Sequence, residues 1–219
     1  MAIAYALFWS GGKDSTLALH RAREAGLEVR YLVNLYEGTS GRVRFHGVRA
    51  ELIRAQAASL GIALIQRHTH PDPFEPVFEQ VLDELRSKGV EGVLFGNIHL
   101  AEVRAWYEAR TTRRGFLHRE LLWGEQPGRL VREFVGAGYR AVVTAVDLAR
   151  GDASWVGRDL DEGFIQAVEA FGADPCGEFG EYHTFAFHGP LFRYPVPFTL
   201  GERVERDGHL FVDLLPAKR

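Results

Sequence analysis

The sequence contains little sulfur and little lysine. Among its 219 residues there is one methionine and one cysteine, Cys176. A single cysteine excludes an intramolecular disulfide, a CxxC redox pair and a zinc site built from several cysteines. This usage is typical of a reducing compartment, so we expect a cytoplasmic protein. Lysine occurs only at positions 13, 88 and 218, so a lysine inside a motif stands out.

The chain also lacks a long hydrophobic run and an excess of positive charge. No apolar stretch approaches the ~20 residues that cross a bilayer, so we expect no membrane association. The 26 basic residues are outnumbered by 29 acidic ones, for a net charge of −3. This balance gives no strong signal for nucleic-acid binding. Hydrophobic residues make up 46% of the chain, which is typical of a globular domain with a sizeable core.

Apolar patterns alternate between strand and helix periodicity through residue 146. The patterns predict strands at residues 3–9, 29–36, 62–66, 92–95 and 139–146, and helices at residues 15–25, 48–60, 76–87, 99–114 and 130–137. Strands that alternate with helices predict βαβ units. We therefore expect an α/β protein with a doubly wound parallel sheet of the Rossmann type.

The regular pattern decays after residue 147. A short helix is predicted at residues 161–171, followed at 172–197 by a stretch with too many polar residues for a simple core element. The dipeptide Asp207-Gly208 predicts a β-hairpin with strands at 199–205 and 209–214. We expect one domain over residues 1–148 and a small C-terminal subregion over residues 149–219 that folds back over the strand ends.

A glycine-rich loop lies between the first strand and the first helix. It reads Ser10-Gly11-Gly12-Lys13-Asp14-Ser15. Glycines let the backbone approach an anion, and the following helix N-terminus supplies free N–H groups, so the loop suits a phosphate group. It fits neither the Walker A pattern nor GxGxxG. An ordinary strand-to-helix turn is the alternative, but Lys13 and Asp14 together favour an anion site.

A second polar segment lies at residues 175–184 and reads Pro-Cys-Gly-Glu-Phe-Gly-Glu-Tyr-His-Thr. Its two carboxylates, Glu178 and Glu181, lie three residues apart among glycines. They can converge on one site as cation ligands or as acceptors for a polar substrate. A surface loop with solvated carboxylates is the alternative.

Other patterns carry weaker predictions. His68 and His70 would place two imidazoles near each other, although no third metal ligand follows in the sequence. Cys176 with His183 would suggest a thiol nucleophile, but a lone cysteine is more often a small hydrophobic residue.

Basic and aromatic side chains leave further alternatives open. The end of the helix at 99–114 would form either a phosphate- or RNA-binding patch or a solvated helix end through Arg110, Arg113 and Arg114. Four aromatic residues would either stack a base or form core or subunit contacts: Trp106, Tyr107, Trp123 and Trp155.

The loop at residues 10–15 resembles the pyrophosphate-loop signature of the N-type ATP pyrophosphatases, in the adenine nucleotide alpha hydrolase-like superfamily. The resemblance implies that the loop holds the β,γ-pyrophosphate of ATP, with Mg²⁺, while an acceptor oxygen attacks the α-phosphorus. Asp14 would then help to hold Mg²⁺ or orient the loop.

The loop together with residues 177–184 resembles the diphthine–ammonia ligase family, which completes diphthamide on elongation factor 2. Landmarks between them agree with the family: Phe45-His46, Phe95-Gly96-Asn97-Ile98, Arg104 and Leu122-Trp123-Gly124. Many relatives have Asp where this chain has Asn97. The resemblance spans roughly residues 3–187, and it implies the short prokaryotic form of the family.

The resemblance implies adenylation of an acceptor carboxylate followed by amidation with ammonia, with release of AMP and pyrophosphate. Residues 1–148 would then be the nucleotide-binding domain, and residues 149–219 would bind the acceptor. The implied nucleotide site comprises Ser10, Gly11, Gly12, Lys13, Asp14, Ser15, Gly96 and Asn97. The implied acceptor site comprises Arg104, Glu178, Glu181, Tyr182, His183 and Thr184. The implied catalytic residues are Lys13, Asp14, Glu178 and Glu181, with Asp14 as the metal ligand.

The acceptor stays open between a modified histidine on elongation factor 2 and a small molecule. Ammonia would arrive free or from a partner, because the chain shows no glutaminase section, and homo-oligomer formation stays open too. Alternatives from other classes are tRNA-base modification and a nucleotide-binding sensor without catalysis.

Overall fold

A five-stranded parallel sheet forms the first half of the molecule. The computed structural model describes residues 3–70 and 73–217. The strand order is β3-β2-β1-β4-β5, and all neighbours are parallel. The strands are β1 (Ala4–Phe8), β2 (Glu28–Tyr36), β3 (Ala63–His68), β4 (Gly92–Phe95) and β5 (Leu117–Glu120). This confirms the predicted α/β fold with a doubly wound sheet.

Helices cover both faces of this sheet. They are α1 (Lys13–Glu24), α2 (Ala50–Leu60), α3 (Phe74–Ser87), α4 (Ala101–Arg113), α5 (Pro127–Gly136) and α6 (Glu162–Phe171). Successive residues of β1 serve opposite faces, as the period of a strand requires. Leu7 packs in one core cluster with Leu19 of α1, whereas Ala6 packs in a second cluster with Phe78 of α3.

The strand order reverses between β1 and β4, and a crevice opens there at the carboxyl ends of the strands. The loops after these two strands touch. A Cβ at Gly96 would lie 3.0 Å from the backbone nitrogen of Ser15, so only glycine fits without displacing the neighbouring backbone. The fold therefore brings Gly96 and Asn97 beside the glycine-rich loop.

A second, antiparallel sheet follows, in the order β7-β6-β9-β8. Its strands are β6 (Arg140–Asp147), β7 (Tyr182–His188), β8 (Phe198–Arg206) and β9 (His209–Pro216). The predicted hairpin is present as β8 and β9, and both turn residues, Asp207 and Gly208, have positive φ, as the favoured two-residue turn requires. Aromatic residues of β7 join the core cluster on the α1 face.

Two strands depart from the prediction. The expectation that the polar stretch at 172–197 is no simple core element is wrong for β7, where Tyr182, Phe185 and Ala186 are fully buried. No strand was predicted at Leu117–Glu120, which forms β5. The division after residue 148 stays a prediction. However, β6 lies before it and pairs with β7 and β9, which follow it.

Candidate active site

Buried hydrogen bonds from two elements, α2 and β7, hold the glycine-rich loop. The Gly11 carbonyl accepts hydrogen bonds from Gln56 Nε2 of α2 and from the Ala186 backbone N–H of β7, both at 2.9 Å. Gln56 Oε1 in turn accepts from Trp9 Nε1 at 2.8 Å. Gly11 has a φ of 85°, which favours glycine. The loop is therefore fixed by the protein itself.

Helix α1 begins inside the loop motif. Gly12 is its N-cap, and no side chain caps the helix there, so free N–H groups and the positive end of the helix dipole lie at this point. The Lys13 backbone N–H is an exception, because it donates to Thr184 Oγ1 at 3.0 Å. This bond joins the two motifs, which lie 171 residues apart in the chain.

Lys13 supplies a buried positive charge. Its Nζ lies 2.9 Å from Asp14 Oδ2 and 4.9 Å from the centre of the Tyr182 ring. Burial acts to lower the pKa of Lys13, but the attraction of Asp14 and Tyr182 outweighs it, and the net pKa is raised. Burial also raises the pKa of Asp14, against the opposing effect of Lys13. Lys13 is therefore charged throughout the physiological pH range.

A cavity of about 440 Å³ lies between the loop and β7. Ser10, Lys13, Asp14 and Ser15 line one side, and Glu178, Tyr182, His183 and Thr184 line the opposite side. Apolar side chains complete the wall: Phe8, Val33, Leu35, Phe74, Phe95 and Tyr107. The volume and the mixed lining are typical of a small-molecule site.

The structure separates the two carboxylates of the second motif. Glu178 lines the cavity, and its Oε1 accepts the backbone N–H of Ile98 at 3.0 Å. Burial raises the pKa of Glu178, and the charge of Asp14 raises it further. Glu181 is buried outside the described cavity lining, where its Oε1 accepts the backbone N–H of Asp174 at 3.2 Å. The expected convergence of both carboxylates on one site is therefore not seen.

Two imidazoles lie beside this motif. His46 Nδ1 donates to the Thr184 carbonyl at 3.1 Å, and the ring centres of His46 and His183 are 4.7 Å apart. Burial lowers the pKa of His46 to about 4 and lowers that of His183 well below its ordinary value. Both rings are therefore neutral at pH 7. Sequence reasoning identified His46 only as a landmark, and the Phe45-His46 pair was the available signal.

The loop that carries Phe45 and His46 is tied to β9 through Asp213. Arg42 Nη1 donates to Asp213 Oδ1 at 2.7 Å, and Arg49 Nη2 donates to Oδ2 at 2.6 Å. The Arg49 guanidinium, together with Arg42, holds the pKa of Asp213 well below its ordinary value of 3.8. Phe45 itself is exposed at a φ of 66° and faces the His183 ring.

Asn97 lines the cavity, whereas Arg104 does not belong to the lining described. Asn97 Nδ2 donates to Glu120 Oε1 of β5 at 2.8 Å. The Arg104 Nε lies 3.7 Å from Glu120 Oε2, and its guanidinium lies 4.6 Å from the centre of the Trp123 ring. The sequence did not single out Glu120, because β5 was not predicted.

The lone cysteine and the histidine pair have structural roles. Cys176 is buried, its Sγ donates to the Pro127 carbonyl at 3.2 Å, and burial raises the pKa of the thiol, so the reactive thiolate is disfavoured. His68 Nδ1 is bonded to the carbonyl of His70 at 2.8 Å. Within residues 3–70 and 73–217, no group of three His, Cys, Asp or Glu side chains could hold a metal ion.

The basic end of α4 faces acidic residues of α3. Arg110 donates to Glu75 Oε1 at 2.6 Å, Arg113 donates to Glu79 at 3.1 Å, and Arg114 donates to Asp83 at 3.0 Å. These ion pairs offset much of the positive charge that a phosphate or RNA patch would need. In the part of the chain described, no helix is long and apolar enough to cross a membrane.

Magnesium ions in nucleotide sites typically use one or two carboxylates, with phosphate oxygens and waters as the remaining ligands. Asp14 meets this requirement, because it lines the cavity beside the loop and is partly exposed, with one oxygen bonded to Lys13. The donor set therefore fits a magnesium ion that arrives with a phosphate-bearing ligand.

Comparison with known proteins decides the family. A family model described as "Diphthamide synthase N-terminal domain" matches residues 3–117, and one described as "Diphthamide synthase C-terminal domain" matches residues 126–213. This chain belongs to the diphthamide synthase family. The resemblance seen in the sequence is thereby confirmed, and neither the sensor nor the tRNA-modification alternative is favoured.

Curated relatives that are similar to this chain are named "Diphthine--ammonia ligase". The one from Schizosaccharomyces pombe is 26% identical over 90% of this chain, which spans only 36% of that relative. The human one is 27% identical over 92% of this chain and 85% of the relative, and the bovine one is 24% identical over the same shares.

One solved structure matched in the comparison is described as a predicted subunit of tRNA methyltransferase from Methanocaldococcus jannaschii. That structure is 16% identical to the present chain. The match covers 84% of the present chain and 96% of the chain in the solved structure, with a TM-score of 0.46.

Proposed function

We propose that this protein is an ATP-dependent, AMP-forming ligase that activates an acceptor carboxylate and joins it to ammonia. The observation that carries the proposal is the bond between the Lys13 N–H and Thr184 Oγ1. With this bond, the phosphate loop and the second motif of the family border one cavity. A reaction between a nucleotide and an acceptor needs both in one place.

The loop side suits the phosphates of ATP. The uncapped N-terminus of α1 and the charge of Lys13 attract a polyanion. The apolar wall, which includes Val33, Leu35 and Phe74, suits the face of a purine base. Asp14 would hold Mg²⁺, which supplies charge neutralisation at the phosphates when it is bound. Lys13 would stabilise the negative charge that accumulates on the departing pyrophosphate.

The opposite side suits the acceptor. A carboxylate oxygen of the acceptor attacks the α-phosphorus, the bond to pyrophosphate breaks, and an acyl adenylate forms. Ammonia then attacks the acyl carbon, AMP leaves, and one proton is released as the amide forms. Glu178 would take that proton, because its raised pKa brings a carboxylate closer to the range useful for a general base.

The neutral rings of His46 and His183 add hydrogen-bonding groups without adding positive charge. The acceptor that we propose is the carboxylate of a modified histidine on elongation factor 2, in keeping with the names of the relatives. A small-molecule carboxylate is the other source of the same chemistry.

The test is product analysis. The purified protein is incubated with ATP, magnesium and ammonium chloride, either alone, with elongation factor 2 that carries the carboxylated diphthamide precursor, or with small carboxylic acids. Chromatography and mass spectrometry are expected to show AMP, pyrophosphate and amide in equal amounts, only when an acceptor is present. Stoichiometric ADP and phosphate, or AMP without any dependence on an acceptor, would contradict the proposal.

A further inference from the structure

A buried carboxylate lies behind the cavity wall at Asn97. The Glu120 side chain is 1% exposed. Its Oε1 accepts two hydrogen bonds, from Asn97 Nδ2 at 2.8 Å and from His118 Nε2 at 3.0 Å. Its Oε2 is buried without a hydrogen-bond partner among the described residues. The Arg104 Nε lies 3.7 Å from that oxygen.

This arrangement fixes the orientation of the Asn97 amide. The Glu120 Oε1 is the shared acceptor of Asn97 Nδ2 and His118 Nε2, so Asn97 meets Glu120 with its NH₂ group. The carbonyl oxygen, Oδ1, lies at the other end of the planar amide and has no bonded partner among the residues described. Because Asn97 lines the cavity, Oδ1 is the end that is left for a ligand.

Glu120 is itself held from two sides. His118, two residues earlier on β5, is 3% exposed and donates its Nε2 proton to the same oxygen. The carboxylate therefore cannot turn away from Asn97 without leaving a buried donor unpaired, which costs about 1–3 kcal/mol. The pair joins the carboxyl ends of β4 and β5, which are neighbours in the sheet.

We propose that Glu120 is a positioning residue: it turns the Asn97 amide so that Oδ1 accepts a hydrogen bond from an O–H or N–H group of a substrate bound beside the phosphate loop. The inference rests on the proposed function for the identity of the substrates. Two of these substrates carry such donors: ATP has hydroxyl groups, and the attacking ammonia has N–H groups.

The test is a cycle of variants at the two positions. In Glu120→Gln, the charge-assisted acceptor is lost and the new amide can also turn its NH₂ group toward Asn97, so the orientation of Asn97 is held less strongly. In Asn97→Asp, two carboxylates face each other. Each single change is expected to lower kcat/KM by about 10- to 100-fold, as loss of an orienting partner typically does. In the double variant the introduced amide donates to the introduced carboxylate, and activity is expected to recover at least about tenfold over either single change.

The matched control is Glu108→Gln. Glu108 also lies near Arg104, at 3.5 Å from its Nε, but its side chain is 45% exposed. This control removes a charge beside Arg104 and leaves Asn97 untouched, so kcat/KM is expected to stay within about twofold of the parent value. Thermal melts of all variants separate the loss of fold from the loss of orientation.

Steady-state kinetics separate the two donor sources. If the partner of Oδ1 is a hydroxyl of ATP, the single variants raise the KM for ATP. If the partner is ammonia, they raise the KM for ammonium and leave that for ATP unchanged. Losses in the two single variants that multiply in the double variant would overturn the proposal, as would a Glu120→Gln protein with normal kinetics.

A second readout does not depend on turnover. The side-chain amide of Asn97 gives a pair of ¹⁵N–¹H signals, assigned by their absence from Asn97→Asp. These signals are expected to move in Glu120→Gln and to stay in place in Glu108→Gln. If the parent protein forms no AMP with any acceptor, the proposed function fails, whereas unmoved signals in Glu120→Gln reject the positioning role whatever the reaction is.

Discussion

The two sides of the cavity differ in charge. The loop side presents a buried cation, Lys13, and the N-terminus of a helix. The opposite side presents Glu178 and the uncharged His183 ring. A polyphosphate is attracted to the first side and repelled by the second. Under the proposed function, nucleotide binding and the acceptor step would therefore depend on separate residues of one cavity.

The two sides also differ in how they are held. Bonds from α2 and β7 fix the loop through Gly11, and Gln56, which provides one of them, is fully buried. Glu178, by contrast, is anchored through the backbone N–H of Ile98 and stays partly exposed. Substitutions on the loop side should therefore act on charge, whereas substitutions on the opposite side should act on the acceptor step.

The largest effect is expected for Lys13→Ala. Removal of the buried cation deletes the charge that, in the proposed reaction, would face the departing pyrophosphate, and AMP formation should fall by about 1,000-fold or more. Lys88→Ala is the matched control, because Lys88 lies on the surface at the end of α3. Rates of acceptor-dependent AMP release and thermal melts of both proteins provide the measurement. A Lys13→Ala protein with near-normal turnover would show that the loop is an ordinary turn.

Next in size is the contrast between Glu178→Gln and Glu181→Gln, the same chemical change made three residues apart. Glu178→Gln is expected to lower acceptor-dependent turnover by about 100-fold, with ATP affinity by calorimetry within about threefold of the parent protein. Glu181 lies outside the described cavity lining, so its change should be seen in the thermal melt rather than in turnover.

Two outcomes would break this contrast. A loss of ATP affinity by two orders of magnitude in Glu178→Gln, about 2.7 kcal/mol, would assign Glu178 to the nucleotide and metal side. Equal losses of turnover in both variants would restore the sequence-based expectation that the two carboxylates act together.

The pH dependence of turnover gives a smaller effect. Burial, with the charge of Asp14, places the pKa of Glu178 above its ordinary value of 4.5. If the ionised form is needed, activity falls as the pH drops through that raised pKa, by about tenfold per unit below it. A bound triphosphate adds negative charge, so the acidic limb of kcat should lie at higher pH than that of kcat/KM for ATP.

Profiles of the parent protein and of Glu178→Gln, each fitted for both kinetic parameters, test this expectation. The limb should vanish in the variant. A limb that persists unchanged would assign it to another group.

The smallest effect is expected for Asp213→Ala, which frees the loop carrying Phe45 and His46 on the acceptor side. The loss of two partly exposed ion pairs should lower the free energy of unfolding by about 1 kcal/mol. Because the folded-state pKa of Asp213 is depressed, this contribution is present above its ordinary value of 3.8 and is lost as the pH falls through the folded-state pKa.

Denaturant melts at pH 7 and at pH 3 measure the free energy of unfolding of the parent protein and of Asp213→Ala. The difference in this free energy between the two proteins should be smaller at pH 3. Asp207→Ala, in the exposed hairpin turn, is unsuitable as a control because of its positive φ. Glu205→Ala on β8 serves instead, and a difference that is the same at both pH values would contradict the role of Asp213.

Much of the fold was predictable because the apolar periodicity is strong where both faces of a strand are buried. The strand β1 reads Ala-Tyr-Ala-Leu-Phe and is buried along most of its length, so a continuous apolar run sufficed. The loop motif was predictable too, since its chemistry lies in six consecutive residues. Its hydrogen bonds to Gln56 and Ala186 were not, because no local pattern encodes contacts between distant segments.

The strands β5 and β7 were missed for different reasons. β5 lies at the edge of its sheet and reads Leu-His-Arg-Glu, and edge strands commonly carry charge that hides their identity. β7 reads Tyr-His-Thr-Phe-Ala-Phe-His, and its polar residues suggested a site rather than a strand. Aromatic and β-branched residues were the available signal. Because β5 was not predicted, Glu120 was not identified as a site residue either.

The bonds from β7 to the loop also impose an order in time. A ribosome makes the loop at residues 10–15 almost first, yet Thr184 and Ala186, which bond to Lys13 and Gly11, are made much later. The parallel sheet can assemble on the nascent chain before them, because domains fold progressively from the N-terminus during synthesis. The phosphate loop, however, gains its final set of bonds only after residue 186 has been translated. A chain whose synthesis stops earlier would carry the whole loop motif and Gln56, but not the bonds from Thr184 and Ala186 that complete its fixation.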